Sequence, residues 1–342
     1  MDRRIAILGT GANGSCAAAD LIRAGFDVTL IDQWPAHVEA MRADGLRIEV
    51  AGGTVRIDGV RAHHVCDVAT FRHRFDIVLV MTKAYDARWM AELIRPCLAD
   101  DGLLIGAQNS MTAGDLAGIV GADRSIGCVV ELSSELFTPG IVRRNSPNEG
   151  TWFALGALDR SMGRRVEDAA EIFRHIGNVA ICDDILSAKW MKLIVNAMTM
   201  PVRSMMGMRT GEVAGVPGAR ELMLRAGEEA LAAGQAEGYR VVPIFGFSSD
   251  EIEGSNRYLE MLIDKLFKDV GSGSRNAMLQ DVLKGRRTEA DMLNGLVVDT
   301  CRRHGLSAPV NAALADVMNR ISAGELQPGV ENLERVLAVA SR

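Results

Sequence analysis

The chain lacks the features that would tie it to a membrane, a nucleic acid or a metal. No stretch reaches eighteen apolar residues, the length at which a run begins to read as a transmembrane helix. The first residues also lack the apolar core of a secretion signal. Basic charge is not in excess: the net charge is −6 and the pI is near 5.6. Arginine pairs such as Arg3-Arg4, Arg143-Arg144 and Arg302-Arg303 are scattered rather than gathered into a stripe, which argues against a nucleic-acid partner. The six cysteines lie far apart, with no C-x-x-C and no adjacent Cys/His set, so neither a metal site nor a disulfide scaffold is expected. His63-His64 is a poor chelate, because neighbouring strand residues point to opposite faces. These absences predict a cytoplasmic protein with reduced thiols, no membrane partner and a small-molecule substrate. At 342 residues the chain is long enough for about two domains.

What is present begins at residue 4. Arg4-Ile5-Ala6-Ile7-Leu8 is an apolar run, followed by Gly9-Thr10-Gly11-Ala12-Asn13-Gly14 and then a helical pattern from Ser15 to Ile22. Asp32 follows the apolar strand Val28 to Ile31, eighteen residues beyond Gly14. A G-x-G-x-x-G is weak alone, but strand, turn, helix and downstream acid together describe a dinucleotide site. Gly9 is expected to make the tight turn, Gly11 to let the backbone approach a pyrophosphate, and Gly14 to pack helix on strand. Ala12 and Asn13 open the helix, whose free N–H groups would receive the diphosphate. Asp32 would accept hydrogen bonds from the adenosine ribose and repel a 2′-phosphate. That predicts NAD over NADP.

Through the first half, strands alternate with helices, which predicts a parallel sheet covered on both faces. The pattern places a helix over 36–43, a hairpin of 46–50 and 54–60 around Gly52-Gly53, and a strand over 75–81. A helix over 86–98 follows, closed by the Asp100-Asp101-Gly102 turn, then a strand over 103–107 and further strands near 125–131, 141–143 and 152–156. Ligands in such sheets bind beyond the carboxyl ends of the strands, so Met81-Thr82-Lys83 and Gln108-Asn109 are expected to face the cofactor crevice. From about Asp184 the periodicity is helical, over 188–200, 219–236, 252–267, 277–284, 289–304, 311–321 and 331–339. Gly271-Ser272-Gly273-Ser274 is a candidate lid or substrate-facing segment. The expected architecture is α/β: an NAD-binding Rossmann-type domain over 1–183, then an all-helical substrate and dimerisation domain over 184–342. The active site would lie in the cleft between them.

An enzyme that reduces a carbonyl with a nicotinamide needs a proton donor to the oxygen. Lys192 and Asn196 are an i, i+4 pair and project from one helix face. Their surroundings, Trp190 to Val195, are otherwise apolar, so the lysine is partly withdrawn from water and exchanges its proton more readily near neutral pH. Asn196 would orient the lysine or hold the substrate oxygen. Lys189, three residues earlier, is a competitor that periodicity leaves open.

Several segments carry a family resemblance: Gly9 to Gly14, Met81-Thr82-Lys83-Ala84, Gln108-Asn109-Ser110-Met111, Thr138-Pro139-Gly140-Ile141-Val142 and Trp190 to Asn196. Met278-Leu279-Gln280-Asp281 with Thr288-Glu289-Ala290-Asp291 and Asn294-Gly295 completes the set. On these the chain resembles the ketopantoate reductases (2-dehydropantoate 2-reductases) nearly end to end. The resemblance implies a helical second domain like that of 6-phosphogluconate dehydrogenase, and a homodimer. It makes Lys192 the general acid and puts Asn109 beside nicotinamide and substrate, Asn196 on the substrate and Lys83 near the cofactor. It also brings Glu289 into the catalytic pocket, where it would pair with Lys192 or hold a substrate hydroxyl.

The departures matter as much. Met200 and Thr210 stand where the family has asparagines, and Ala277 replaces a serine that contacts substrate. Losing such hydrogen bonds removes discrimination for the polar substrate, so ketopantoate is not the expected one. Glu131 would meet a substrate hydroxyl, cation or amine, and Ser274 and Arg275 a substrate carboxylate. Typical family members prefer NADP and carry a basic residue near Asp32-Gln33-Trp34, where this chain has none. The expectation is an NAD-dependent oxidoreductase interconverting a 2-hydroxy acid or related secondary alcohol with its ketone. Competing readings are a ketopantoate reductase proper, an imine- or opine-type reductase, and a non-catalytic nicotinamide sensor. Retention of Lys192, Asn196, Asn109 and Glu289 together disfavours the last.

Overall fold

The computed structural model of the chain describes residues 3–252 and 257–340. The chain divides into two compact units, Met1–Leu186 and Ser187–Arg342.

Unit 1 carries strands β1 (Arg4–Leu8), β2 (Asp27–Asp32), β3 (Leu46–Val50), β4 (Gly53–Ile57), β5 (Arg61–His64) and β6 (Phe75–Val80). They continue as β7 (Leu98–Gly106), β8 (Ser125–Glu131), β9 (Ser134–Thr138), β10 (Ile141–Arg144), β11 (Trp152–Ala157) and β12 (Asn178–Ile181). Its helices are α1 (Ala12–Arg23), α2 (Pro35–Asp44), α3 (Ala84–Ile94), α4 (Ala113–Val120) and α5 (Gly163–Phe173). The main sheet runs β12-β11-β8-β7-β6-β1-β2-β5, parallel except where β11 meets β8. From β1 the chain builds outward to β2 on one side and later to β6 on the other. This is the topological switch point at which such sheets bind ligands. Leu8 pairs with Ile31 and with Val80, so the segments after β1, β2 and β6 all leave the sheet at one edge.

Period-2 alternation assigns the two faces. Ile5 and Ile7 pack into the core that holds α1 and α5, whereas Ala6 and Leu8 join the core formed with α3 and α4. A four-stranded sheet, β4-β3-β10-β9, lies beside α1. The expected hairpin is its first half, but β4 stops at Ile57 and Gly59, at φ +65°, turns the chain into β5. A buried ion pair ties α1 to this sheet. The guanidinium of Arg144 donates to Asp20 at 2.5 Å and to Thr151 Oγ1 at 3.0 Å.

The expected helix over 86–98 is corrected. Helix α3 ends at Ile94 and tightens into a 3₁₀ turn over Arg95–Cys97, because Pro96 has no N–H to donate to the carbonyl four residues earlier. Asp100-Asp101-Gly102 does not close a helix. It forms an irregularity inside β7, where the register passes from Phe75–Leu98 to Ile77–Leu103.

Unit 2 is helical: α6 (Ile185–Met205), α7 (Thr210–Val213), α8 (Ala219–Glu237), α9 (Ser249–Ile252), α10 (Tyr258–Val270) and α11 (Ala277–Leu283). A π-helical turn, Asp291–Gly295, then leads into α12 (Leu296–Arg303), followed by α13 (Pro309–Ser322) and α14 (Glu331–Ala340). Of the helix expected over 252–267, residues 253–256 lie outside the described residues. Helix α6 does not end at Met200 as expected. It passes through Pro201, which cannot donate to the carbonyl of Ala197. The side chain of Asn294 supplies the missing donor, with Nδ2 2.9 Å from the Ala197 oxygen. A π turn inserts one residue into a helix and re-aims its side chains, and here it presents Asn294 to the helix that carries Lys192.

Asn294→Ala should therefore lower unfolding free energy by about 1–3 kcal/mol, the cost of leaving a buried carbonyl unpaired. The loss should shrink in a Pro201→Ala background, where the backbone N–H returns. Denaturant titration of the double-mutant cycle reads both. Equal losses in the two backgrounds would refute the account.

Candidate active site

The glycine turn in unit 1 admits no side chains at two positions. Gly9 has φ +89°, and a Cβ there would lie 2.7 Å from Thr82 Cγ2 and 2.8 Å from the Thr82 nitrogen. A Cβ on Gly14 would collide with the carbonyl oxygen of Gly9. Nothing lies within 4 Å of a Cβ placed on Gly11, so the space above the first turn of α1 is open. That is the cradle a diphosphate needs. Gly11 is the N-cap of α1 and offers no side-chain cap. The Thr82 hydroxyl, at the carboxyl end of β6, is buried and without a hydrogen-bond partner.

Asp32 ends β2 and is 7% exposed. Its carboxylate accepts from Thr10 Oγ1 at 3.2 Å and from the Trp34 N–H at 2.8 Å. A carboxylate has about four acceptor directions, so these bonds orient the group and leave lone pairs for further donors. Asn13 accepts from Ser134 Oγ at 2.6 Å, which ties the helix start to β9. Lys83 is the N-cap residue of α3, half-buried. Gln33, just past Asp32, donates to Asp86 Oδ2 at 2.9 Å, bridging the segments that follow β2 and β6 on either side of β1.

His37 is a residue that periodicity did not single out. It is fully buried; the Gly140 N–H donates to its Nδ1 at 2.9 Å. The proton therefore resides on Nε2, which donates to the Thr10 carbonyl at 2.8 Å. A neutral histidine thus fastens the fingerprint loop to the Thr138-Pro139-Gly140 turn. Cys16, in α1, is no nucleophile: burial pushes its thiol up to about 12.

Gln108 is buried and bridges the Val80 carbonyl and the Thr112 hydroxyl. Asn109 follows at the end of β7, half-buried. Glu131 closes β8, half-buried and paired in register with Trp152. Both lie at the carboxyl edge of the sheet. Among the described residues no group of three or more His, Cys, Asp or Glu side chains could hold a metal ion.

In unit 2, Lys192, Asn196 and Met200 form one stripe along α6 at i, i+4 and i+8, exposed by 6, 4 and 4%. The Lys192 ammonium lies 4.7 Å from the centroid of the Phe245 ring. The Asn196 amide nitrogen is buried without a hydrogen-bond partner, an arrangement that costs free energy unless something completes it. Lys189 is buried as well, at 3%. Glu289 is 4% exposed and lies two residues before the start of the π turn.

The expected substrate contacts fare differently. The Thr210 hydroxyl receives a hydrogen bond from Arg203 Nη1 at 2.7 Å and meets Ser274 Oγ at 2.8 Å. Ser274 in turn donates to the Gly271 carbonyl. The Gly211 and Thr210 N–H groups donate to the carbonyls of Ser272 and Ser274. The glycine loop is therefore stitched onto α7 rather than hanging free as a lid, and the Thr210–Ser274 pair serves that anchor. Arg275 and Ala277 flank Asn276, the N-cap of α11, and are half-buried.

Two profiles of one family match the chain. "Ketopantoate reductase PanE/ApbA" spans residues 5–157, and its C-terminal counterpart spans 184–322. The 2-dehydropantoate 2-reductase of Archaeoglobus fulgidus is 25% identical over 94% of this chain and 99% of its own. That of Mesorhizobium japonicum is 29% identical over 93% and 98%. A PanE/ApbA family ketopantoate reductase from Ralstonia eutropha JMP134 superposes with a TM-score of 0.77, at 26% identity over 94% of this chain and 99% of that one. A D-mandelate dehydrogenase solved with NADH and anilino(oxo)acetate shares the fold, with TM-score 0.81 and 19% identity over the same shares.

Gly14→Ala tests the cradle. It should destabilise the protein by roughly 1–3 kcal/mol through overpacking and abolish measurable dinucleotide binding in a fluorescence titration. A variant that binds as the parent does would show that the turn is not the nucleotide site.

Proposed function

The chain belongs to the ketopantoate reductase family of oxidoreductases, and from that premise we propose that it is an NAD-dependent enzyme interconverting a 2-hydroxy acid or related secondary alcohol with its ketone. The observation that carries the reading is the stripe on α6, where a buried ammonium neighbours an amide donor that nothing satisfies. Two donors side by side fit one oxygen of a substrate.

The side-chain-free turn at Gly9 and Gly14, with the orphaned Thr82 hydroxyl, fits a dinucleotide. When bound, the nicotinamide accepts a hydride from the alcohol carbon or delivers one to the carbonyl carbon. Gly9, Gly11, Ala12, Asn13 and Gly14 would hold the diphosphate, with Asp32 on the ribose and Lys83 and Asn109 toward the nicotinamide. Lys192 then moves the proton. In reduction its Nζ–H protonates the nascent alkoxide, and in oxidation the neutral amine takes the hydroxyl proton. Asn196 donates to the same oxygen and keeps it in line with Nζ, while Glu289 would hold Lys192 or a substrate hydroxyl. The apolar Met200 and Ala277 offer no hydrogen bond to the polar groups of a substrate, which supports a substrate other than ketopantoate. Oxidation with NAD⁺ is the favoured direction.

Lys192→Ala should lower kcat by about 10²–10⁴-fold, the usual worth of a positioned acid or base, while NADH still binds. Turnover at the parental rate would exclude Lys192, and output unchanged in a signalling assay would favour a sensor.

Asp32→Ser should shift the ratio of kcat/KM for NAD⁺ over NADP⁺ toward NADP⁺. An unchanged ratio would refute the role given to that carboxylate. A screen of hydroxy acids with NAD⁺, read at the absorbance of the reduced cofactor, addresses the substrate. Hits led by pantoate would overturn this part of the reading.

A further inference from the structure

Phe245 is the only non-glycine residue with positive φ among the described residues, at +60°. A bulky side chain rarely adopts that backbone, and such strain persists only where the surroundings over-determine it. The ring is 5% exposed, and its centroid lies 4.7 Å from the Lys192 ammonium. The segment that carries it is stitched along the start of α6. Tyr239 stacks on Trp190 with centroids 5.1 Å apart, the Arg240 N–H donates to Ser187 Oγ at 2.9 Å, and the Tyr258 hydroxyl donates to the Val242 carbonyl at 3.2 Å. Trp190 is itself locked, its indole N–H donating to the Ala230 carbonyl at 2.9 Å. A Cβ on Gly234 would collide with that indole ring, so α8 leaves the ring just the space it occupies.

We propose that Phe245 is a positioning residue for the reaction: its strained backbone presents a π face that fixes the Lys192 ammonium toward the substrate side of the α6 stripe. The proposal rests on the reading of Lys192 as the group that moves the proton. The physics is the attraction of a cation for the negative face of an aromatic ring, strongest where water is excluded. A long flexible lysine stem loses aim without such a partner, and a small misplacement of a proton donor lowers the rate steeply. The ring also closes one side of the amine, so that acylating reagents reach it slowly.

The test is a set of three proteins: parent, Phe245→Leu, which keeps an apolar side chain but has no π face, and Phe245→Tyr, which keeps the face. Two readouts apply. The first is steady-state reduction by NADH of the keto acid that corresponds to the best hydroxy acid from the screen, the direction in which the ammonium is the proton donor. Phe245→Leu should lose about tenfold in kcat with KM for NADH unchanged, and Phe245→Tyr should restore kcat. The second is the acetylation rate of Lys192 by acetic anhydride, followed by peptide mass mapping. It should rise several-fold in Phe245→Leu and return to the parental value in Phe245→Tyr. The labelling arm needs no turnover, so an absence of dehydrogenase activity in the parent would sink the functional reading while the labelling still judges the ring. Parental labelling and parental kcat in Phe245→Leu would overturn the proposal. So would a Phe245→Tyr variant that fails as Phe245→Leu does, since packing alone would then explain both.

Discussion

At Gly14 a side chain would meet the carbonyl oxygen of Gly9, and at Gly9 it would meet the backbone of Thr82. Strand β1, helix α1 and the segment after β6 therefore converge on a point that tolerates no Cβ. Close approach there sets where the N-terminal end of α1 lies, and with it the direction of the helix's first N–H groups. The surrounding polar groups are organised about the same turn. Ser15 and His37 both donate to the Thr10 carbonyl, and the Thr10 hydroxyl donates to Asp32. The carboxylate at the end of β2 is thus oriented through the fingerprint loop itself.

Helix α6 presents a different problem. A helix buried on nearly all sides is ordinarily apolar, yet Ser187, Lys189, Lys192, Asn196, Thr199, Arg203 and Ser204 are all buried on it. Most are visibly accommodated. Thr199 and Ser204 return their hydroxyls to the carbonyls four residues earlier, and Ser187 receives a hydrogen bond from Arg240. Arg203 donates to the Thr199 carbonyl and to Thr210. The Asn196 nitrogen is the exception. On a helix whose other polar groups are so largely accommodated, this amide nitrogen stands out as a donor that the fold itself leaves unpaired, one turn from Lys192.

Much of this was legible in the chain because the signals are local. The turn after β1, the acid after β2 and the amphipathic helices of unit 2 each declare themselves within a dozen residues. The small sheet did not, since its central pairing joins Ile141 to Arg47, residues whose partnership no local period reveals. The run of α6 through Pro201 was hidden because the compensating donor comes from Asn294. Phe245 carried no pattern: an aromatic in a loop gains meaning only from its backbone and from what its ring covers. The anchoring of Ser274 by Thr210 was equally invisible, and it turns a glycine-rich segment that looks like a lid into a fixed part of unit 2.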